Sequence, residues 1–498
     1  MAVATEPNVF DSEIFRDQLR QIEIAGVHET VMYAGDRNPL LLAEALGDVG
    51  QIAIVGYKSQ GPAHAMNLRE SLAVAGSDTR VVLALRDGSP TIAQAQRDGF
   101  TYDNGTLKTP EKAIATSDLF TMLIEDSAMV AEGERYLRLA RSGATVMLAH
   151  GFYIGHLEAN PDQRIRDDIN VGMVAPKGMG PSVRRLYEQG SGINASFAVE
   201  QGGDDIRDLV LGYSQGIGSP NTFQTTLGME WRSDIFGERA ILLGGVHGIV
   251  EAMYQWKKSE GAGDEQAILE TVESVVGPIS KTISQEGLRG IVERLSSSEL
   301  EEFAGVYNAA YPEMKTVIEK IYRDVSSGRE IAEVVSDNEA NTPMSQVDAT
   351  DMWIAAAKVR DARGDRREDA VKIDPKVAAV YLAAMMAQVD TLHENGHYWS
   401  EIVNESIIEA VDSLNPYMEY NGVAFMVDNC SITARRGSRK WFANFQNAIL
   451  QGVKPVVQGR REVSDKTDYF ASFLKHDVHE AFDVLKQFRP EVDISVTG

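Results

Sequence analysis

The 498-residue chain has a single cysteine, Cys430, and is short of basic residues, with 48 lysines and arginines against 73 aspartates and glutamates. One cysteine excludes internal disulfides and thiolate metal clusters, and it points to a reducing compartment. A formal net charge of -25 leaves no basic footprint for a phosphate backbone, so nucleic acid is not expected as a partner. No apolar run reaches the length that spans a bilayer, and the N-terminus lacks the pattern of a secretory signal. The opening M-A-V-A-T-E-P is short and acidic, so a transit peptide is expected to be absent or already removed. What remains is an ordinary globular balance, 43% hydrophobic and 24% charged, in a chain long enough for two or three domains.

The stretch Ser233 to Met253 stands out from that background. Asp234 and Glu238 are four apart, so on a helix their carboxylates lie one turn above the other. The residues after them are almost all apolar or small, which predicts a helix buried on most sides. Two like charges at the head of a buried helix need a compensating cation, and oxygen donors suit a hard ion such as Mg2+. A solvated helix start, with acids complementing the dipole, is the plain alternative.

Ahead of it the pattern is β and α in alternation. Residues up to about Ala43 mix a polar amphipathic piece, Asp11 to Ile24, with V-M-Y-A-G. Gln51–Val55 reads as a buried strand ending on the glycine turn Gly56–Gly61, followed by a helix over 63–75 and a strand over 80–85. That sequence of elements is the mononucleotide-binding unit. Further strands are predicted at 119–124, 144–149 and 171–175, which implies a mostly parallel sheet covered by helices. From about Thr226 long helical periodicities take over. The expected organisation is a Rossmann-like α/β dinucleotide-binding unit over 1–225 and an all-α unit over 226–498. Within the latter, Ser336–Arg367 reads as a surface connection. Gly277–Ser296 resembles Asn415–Ser431 with one short gap, which predicts two similar helical bundles about a pseudo-twofold axis. In that alignment Ala267 and Thr271 stand opposite Glu405 and Glu409.

Three constellations carry candidate chemistry. The glycine turn departs from G-x-G-x-x-G because Lys58 stands at the central position, although Lys58 could itself contact a phosphate. After the second strand, Arg86 with Ser89 offers a charge-assisted site for a 2′-phosphate, which reads as NADPH; an exposed loop arginine is the alternative. Glu405 and Glu409 form a second i,i+4 pair on an amphipathic helix, so two pairs could converge on two metal ions. His150 in L-A-H-G-F and Lys177 in A-P-K-G-M-G-P follow parallel strands, at the carboxyl ends where such sheets bind cofactors. There they could polarise a ketone or carry protons; a structural loop role is the other reading.

These motifs resemble the ketol-acid reductoisomerase (acetohydroxy-acid isomeroreductase) family, in its long, plant-like class. The resemblance rests on G-Y-K-S-Q-G-P-A-H-A-M-N-L-R at Gly56, A-H-G-F at Ala149, A-P-K-G-M-G-P at Ala175, S-D-I-F-G-E-R at Ser233, N-E-S-I-I-E-A-V-D-S-L-N-P at Asn404 and D-N-C-S-I-T-A-R-R-G-S-R-K-W at Asp428. It runs from about residue 30 to the C-terminal V-D-I-S-V-T-G and departs at Lys58, for a glycine, and at Ala149, for a serine.

The resemblance implies that Asp234 bridges two Mg2+ ions, with Glu238 on the first and Glu405 and Glu409 on the second. It implies that Ser431 holds the substrate carboxylate, that His150 and Lys177 lie near the nicotinamide and bridging oxygens, and that the helical unit is duplicated and knotted. The expected cofactor-binding residues are Gly56, Tyr57, Lys58, Ser59, Gln60, Arg86, Ser89 and Asp126. The implied reaction takes 2-acetolactate, or 2-aceto-2-hydroxybutyrate, through an alkyl shift and an NADPH reduction to a 2,3-dihydroxy acid. Glu238 or a metal-bound hydroxide is the expected base, with Lys177 tuning its protonation. A homo-oligomer is expected, cytoplasmic in a bacterium or in the plastid stroma after processing. An NADPH-dependent hydroxy-acid dehydrogenase without isomerase activity is the nearest rival, and a non-catalytic NADP-binding regulator is a further one.

Overall fold

A ten-stranded sheet organises the first half of the computed structural model, which describes residues 7–35, 38–365, 371–462 and 465–489. Its strands are β1 (Leu19–Ile24), β2 (Val27–Tyr33), β3 (Gln51–Val55), β4 (Arg80–Ala84), β5 (Leu107–Lys108), β6 (Leu119–Met122), β7 (Thr145–Leu148), β8 (Asn170–Pro176), β9 (Ala195–Gln201) and β10 (Asn221–Gln224). They lie in the order β1-β2-β10-β9-β8-β7-β6-β3-β4-β5. From β5 across to β8 every pairing is parallel, and β9 then runs antiparallel to β8.

The central strand shows why this half folds as it does. Every residue of β3 is buried. Ile52 and Ile54 join Leu68, Leu83, Val210 and Leu211 in one core, while Ala53 and Val55 join Val82, Phe120 and Val146 in the other. Fully burying such an aliphatic side chain stabilises by about 1.5–3 kcal/mol, and a strand covered on both faces reads as one apolar run. The strands expected over 80–85, 119–124, 144–149 and 171–175 correspond to β4, β6, β7 and β8 with ends one or two residues different. The chain moves from β3 to β4 and β5 on one side, then returns to place β6 on the other. That reversal opens a crevice at the carboxyl ends of β3 and β6.

Elsewhere the sheet exceeds the expectation. The polar piece over Asp11–Ile24 divides into a short 3-10 turn, Arg16–Gln18, and β1, which pairs antiparallel with β2. In β1 only Ile24 is fully buried, so its sequence carries little apolar signal.

The compact units divide at Ser233, and the first takes back Phe488, whose carbonyl accepts from the Asn194 and Asn221 side-chain amides at 2.7 and 2.9 Å. The unit from Ser233 to Gln487 is built of helices. Five of the chain's helices matter here: α1 (Leu227–Arg239), α2 (Gly244–Ser259), α3 (Ser297–Ser326), α4 (Pro375–Glu394) and α5 (Ile432–Asn447). The single buried helix expected from Ser233 to Met253 is broken after Arg239. At the restart, a Cβ on Gly244 would stand 2.3 Å from the Arg239 carbonyl oxygen, so only glycine lets the backbone turn that tightly.

The duplication is visible in the elements. Each repeat has a long helix, α2 or α4, a kinked helix containing a π segment, a glycine with positive φ, and a helix capped by serine. The packing is reciprocal: α2 lies against α5 of the other repeat, and α3 against α4. Three corresponding pairs, Ser280/Asn415, Gly287/Gly422 and Ser296/Ser431, share one separation of 135 residues. The Asn415 amide donates to Ser280 Oγ at 2.8 Å, as corresponding residues do when they meet on a pseudo-twofold axis. The common separation puts Glu270 and Ser274 opposite Glu405 and Glu409, in place of Ala267 and Thr271. Matching Pro278 with Pro416, as the two sequences alone suggest, is therefore out of register by three residues. The expected surface connection over 336–367 also contains a packed helix, Asp351–Asp361, with Met352, Trp353, Ala356 and Val359 buried and the Trp353 indole donating to Glu251 at 2.7 Å.

Candidate active site

The nucleotide side of the chemistry is built where β3 ends. Gly56 has φ +103, and a Cβ there would stand 2.3 Å from the Leu123 carbonyl oxygen, so the turn leaves β3 tight against the end of β6. Lys58 and Ser59 are exposed on it. Tyr57 faces the other way: its side chain is buried and its hydroxyl donates to Asp98 at 2.8 Å, so only its backbone belongs to the turn. The A-P-K-G-M-G-P motif packs directly on this loop. A Cβ on Gly180 would stand 2.1 Å from the Ser59 carbonyl oxygen, and the Gln60 amide donates to the Gly178 carbonyl at 2.9 Å. The glycines of one motif thus seat the turn of the other, a use the sequence does not advertise. Arg86 is exposed beyond β4 in a turn whose Gly88 has φ +73, and Ser89 Oγ pairs with Thr91 Oγ1 at 2.9 Å.

His150 and Lys177 follow β7 and β8, neighbouring parallel strands, and so share the carboxyl edge. The Phe152 N–H donates to His150 Nδ1 at 3.3 Å, which makes Nε2 the protonated nitrogen. Nε2 lies 3.3 Å from Asp126 Oδ1. Asp126, expected to contact cofactor, is buried at the first turn of the helix Asp126–Leu139 and orients the histidine. Gly151 is demanded by packing, since a Cβ there would stand 2.7 Å from the Leu227 carbonyl oxygen. Its N–H donates to the buried carboxylate of Glu230, a residue the sequence reading missed. Lys177 is buried at the end of β8, its N–H held by the Asn194 carbonyl at 2.8 Å.

The carboxylates belong to the helical unit. Asp234 and Glu238 project from α1, half-buried, one turn apart. Glu405 and Glu409 lie in a π segment, Asn404–Leu414, where an amphipathic α-helix was expected. A π turn is wider, so residues four apart are offset differently around the axis, and such segments recur at functional sites. Glu405 is buried and Glu409 half-buried.

The two elements converge on the start of α5. The Cys430 thiol is pushed well above its usual range by burial, then by the negative charges of Glu238, Glu409 and Asp234, with Arg435 opposing. Three of the four expected carboxylates therefore act on one atom. Next to it, Ser431 Oγ donates to Glu238 Oε1 at 3.3 Å and accepts from the Ala434 N–H at 3.0 Å, capping α5. Among the described residues no three acidic, histidine or cysteine side chains stand close enough to hold one ion together. The donor set is nonetheless all oxygen, which suits Mg2+.

A mostly parallel sheet with a nucleotide turn at its switch point, in a chain that continues into a helical unit bearing two carboxylate pairs, defines a class of dinucleotide-dependent oxidoreductase. Residues 48–222 match the family model "Acetohydroxy acid isomeroreductase, NADPH-binding domain" and residues 227–364 match "Ketol-acid reductoisomerase, C-terminal domain". The chain is 43% identical to the chloroplastic ketol-acid reductoisomerase of Spinacia oleracea, over 98% of its own length and 83% of the relative's. It is 41% identical to that of Pisum sativum, over 99% and 86%. The chain belongs to the ketol-acid reductoisomerase family. An NADH-preferring ketol-acid reductoisomerase from an uncultured archaeon shares the fold, with a TM-score of 0.55 at 22% identity over 66% of this chain and 98% of that one. The C-terminal match ends at residue 364, just before the second repeat opens with α4.

Proposed function

We propose that the chain converts 2-acetolactate or 2-aceto-2-hydroxybutyrate to the corresponding 2,3-dihydroxy acid with NADPH and Mg2+, a step of valine and isoleucine synthesis. The observation that carries this reading is the hydrogen bond from Ser431 to Glu238, with the charges of Asp234 and Glu409 also reaching the neighbouring Cys430 thiol, in a chain of this family. Asp234, Glu238, Glu405 and Glu409 would hold the ions, which when bound polarise the ketone and stabilise an ionised hydroxyl.

The chain's own groups handle the protons. In the first step the C2 hydroxyl gives up its proton, for which Glu238 is the assigned base. The alkyl group moves from C2 to C3 with its bonding pair; C2 becomes the ketone and the C3 oxygen takes a proton. In the second step C2 accepts a hydride and its oxygen a proton. We assign to His150, held by Asp126 as the Nε2–H tautomer, and to Lys177 the polarisation and proton supply of the reduction. Ser431 is assigned to the substrate carboxylate, its one hydroxyl proton turning from Glu238 to that carboxylate when substrate binds. Gly56, Lys58, Ser59, Gln60 and the Tyr57 backbone would carry the pyrophosphate, and Arg86 with Ser89 the 2′-phosphate.

A homo-oligomer is part of the proposal. The reading holds equally for a bacterial cytoplasm and a plastid stroma, and no described helix is long and apolar enough to cross a membrane. The test is NADPH oxidation with 2-acetolactate. Turnover is expected with Mg2+ and none after chelation; metal-independent turnover would refute the reading.

A further inference from the structure

Behind Glu238 lies a buried ion network that the proposed chemistry does not use. Arg239, the last residue of S-D-I-F-G-E-R, is fully buried, with 0% of its side chain exposed, and its partner Glu330 has 2%. Arg239 Nε donates to Glu330 Oε2 at 2.5 Å, while Nη1 donates to the Ile235 carbonyl at 3.0 Å and lies 3.4 Å from Glu238 Oε2. Glu330 Oε1 accepts from Lys440 Nζ at 2.6 Å and from the Trp441 indole at 2.9 Å. Burial alone would raise the Glu330 carboxyl, but Arg239 and Lys440 outweigh it and hold it below its usual range. Room for the guanidinium comes from Gly437, where a Cβ would stand 2.7 Å from Arg239 Cγ and 2.8 Å from Cζ. Gly437, Lys440 and Trp441 all belong to A-R-R-G-S-R-K-W, so this cradle explains the half of the motif that lies beyond Ala434 and Arg435.

Energetics argue against a purely structural role. Sequestering an arginine and a glutamate costs several kcal/mol per ion, and such pairs are often no more stabilising than apolar residues of the same volume. Here the pair ends on the assigned metal ligand and base: Glu238 Oε1 faces Ser431 and Oε2 faces Arg239. Oε2 is thereby oriented by a guanidinium that Glu330 itself holds fixed.

We propose that Arg239, clamped by Glu330 and accommodated by Gly437, is a positioning residue that sets the carboxylate of Glu238 for divalent-metal binding. The inference rests on the assignment of Glu238 as a metal ligand. It also accounts for the pairing of S-D-I-F-G-E-R with A-R-R-G-S-R-K-W, which lie almost 200 residues apart.

The experiment measures Mn2+ binding to the full-length protein by electron paramagnetic resonance, beside NADPH affinity and the thermal midpoint. Glu330→Gln should weaken Mn2+ binding about 10- to 100-fold, the usual effect of losing an outer-shell partner, and leave the NADPH Kd unchanged. Glu333→Gln, which loses only a contact to Lys440, serves as a control and should leave Mn2+ affinity unaltered. If Glu330→Gln does not fold, Trp441→Phe removes one donor to Glu330 and should shift Mn2+ affinity less, in the same direction. Unchanged Mn2+ affinity in a folded Glu330→Gln protein, or in Trp441→Phe, overturns the positioning role. Absence of Mn2+ binding by the unsubstituted protein would instead overturn the metal assignment itself.

Discussion

Arg86 and Ser89 are the residues proposed to select the dinucleotide by a charge-assisted contact. Both lie beyond β4, where such folds meet the adenosine ribose, and Arg86 is exposed. Each charge-assisted contact to a 2′-phosphate contributes about 1.5–3 kcal/mol, so each is worth roughly tenfold or more in affinity. Replacing both with aspartate should move the NADPH-to-NADH ratio of kcat/KM toward NADH by about 100-fold or more on that scale. An unchanged ratio would remove this loop from cofactor selection.

A second residue sets a pH limit. His64, wholly buried in the helix after the glycine turn, lies 2.9 Å from the Tyr213 hydroxyl, which in turn accepts from Thr121 Oγ1 at 2.8 Å. The tyrosine proton is therefore left for His64 Nδ1, and burial pushes the imidazole down to about 3. The unfolded chain binds that proton near pH 6.5, so this contribution to stability is fully present above about 6.5 and lost as the pH falls toward 3. The thermal midpoint should fall on acidification through that window. His64→Gln should flatten the fall, and an identical pH slope in the variant would contradict the assignment.

At the scale of elements, the glycine turn and the start of the helix Gly180–Glu188 form one piece. Gly180→Ala places a Cβ against backbone atoms of Ser59 and Gln60, none of which can move aside as a side-chain tip would. Overpacking of this kind costs about 1–3 kcal/mol. Because the displaced atoms belong to the turn, the NADPH Kd should rise about tenfold, roughly 1.4 kcal/mol, while Mn2+ affinity stays unchanged. Equal weakening of both, or of neither, would separate the two motifs.

Legibility followed burial and locality. Gln51–Val55 could be read to the residue because both faces of β3 are buried. β1 carries little signal because most of it is exposed, and β5 because it is two residues long; β2, β9 and β10 also went unread, although β9 opens with four buried residues. The carboxylate pairs were legible because their spacing is local. The π segment was not, since nothing in N-E-S-I-I-E-A-V distinguishes a π turn from an α turn before packing is known. Contacts between distant segments, such as Glu230 with Gly151 or Arg239 with Glu330, leave no local signal at all.

For the molecule as a whole, the duplication places Asp234 and Glu238 ahead of the first repeat and Glu409 and Ser431 in the second; within one chain the three carboxylates act on the Cys430 thiol and Glu238 accepts from Ser431. The corresponding first-repeat positions have other work: Glu270 pairs with Lys257 at 2.9 Å, and Ser274 Oγ donates to the Lys372 carbonyl at 2.8 Å. One chain should therefore carry a complete carboxylate set. Mixing an Asp234→Asn protein with a Glu409→Gln protein and allowing subunits to exchange should restore no activity; substantial recovery would show a set shared between chains.

On the proposed function the alkyl group moves before the reduction, and carbon labelling reads this directly. 2-Acetolactate carrying 13C in the methyl group on C2 is incubated with the protein, NADPH and Mg2+, and the product is examined by NMR. The expected product is 2,3-dihydroxy-3-methylbutyrate, with the labelled methyl on C3 and the new hydrogen on C2. A product with the label still on C2 and the new hydrogen on C3 would mark a simple ketone reductase and contradict it.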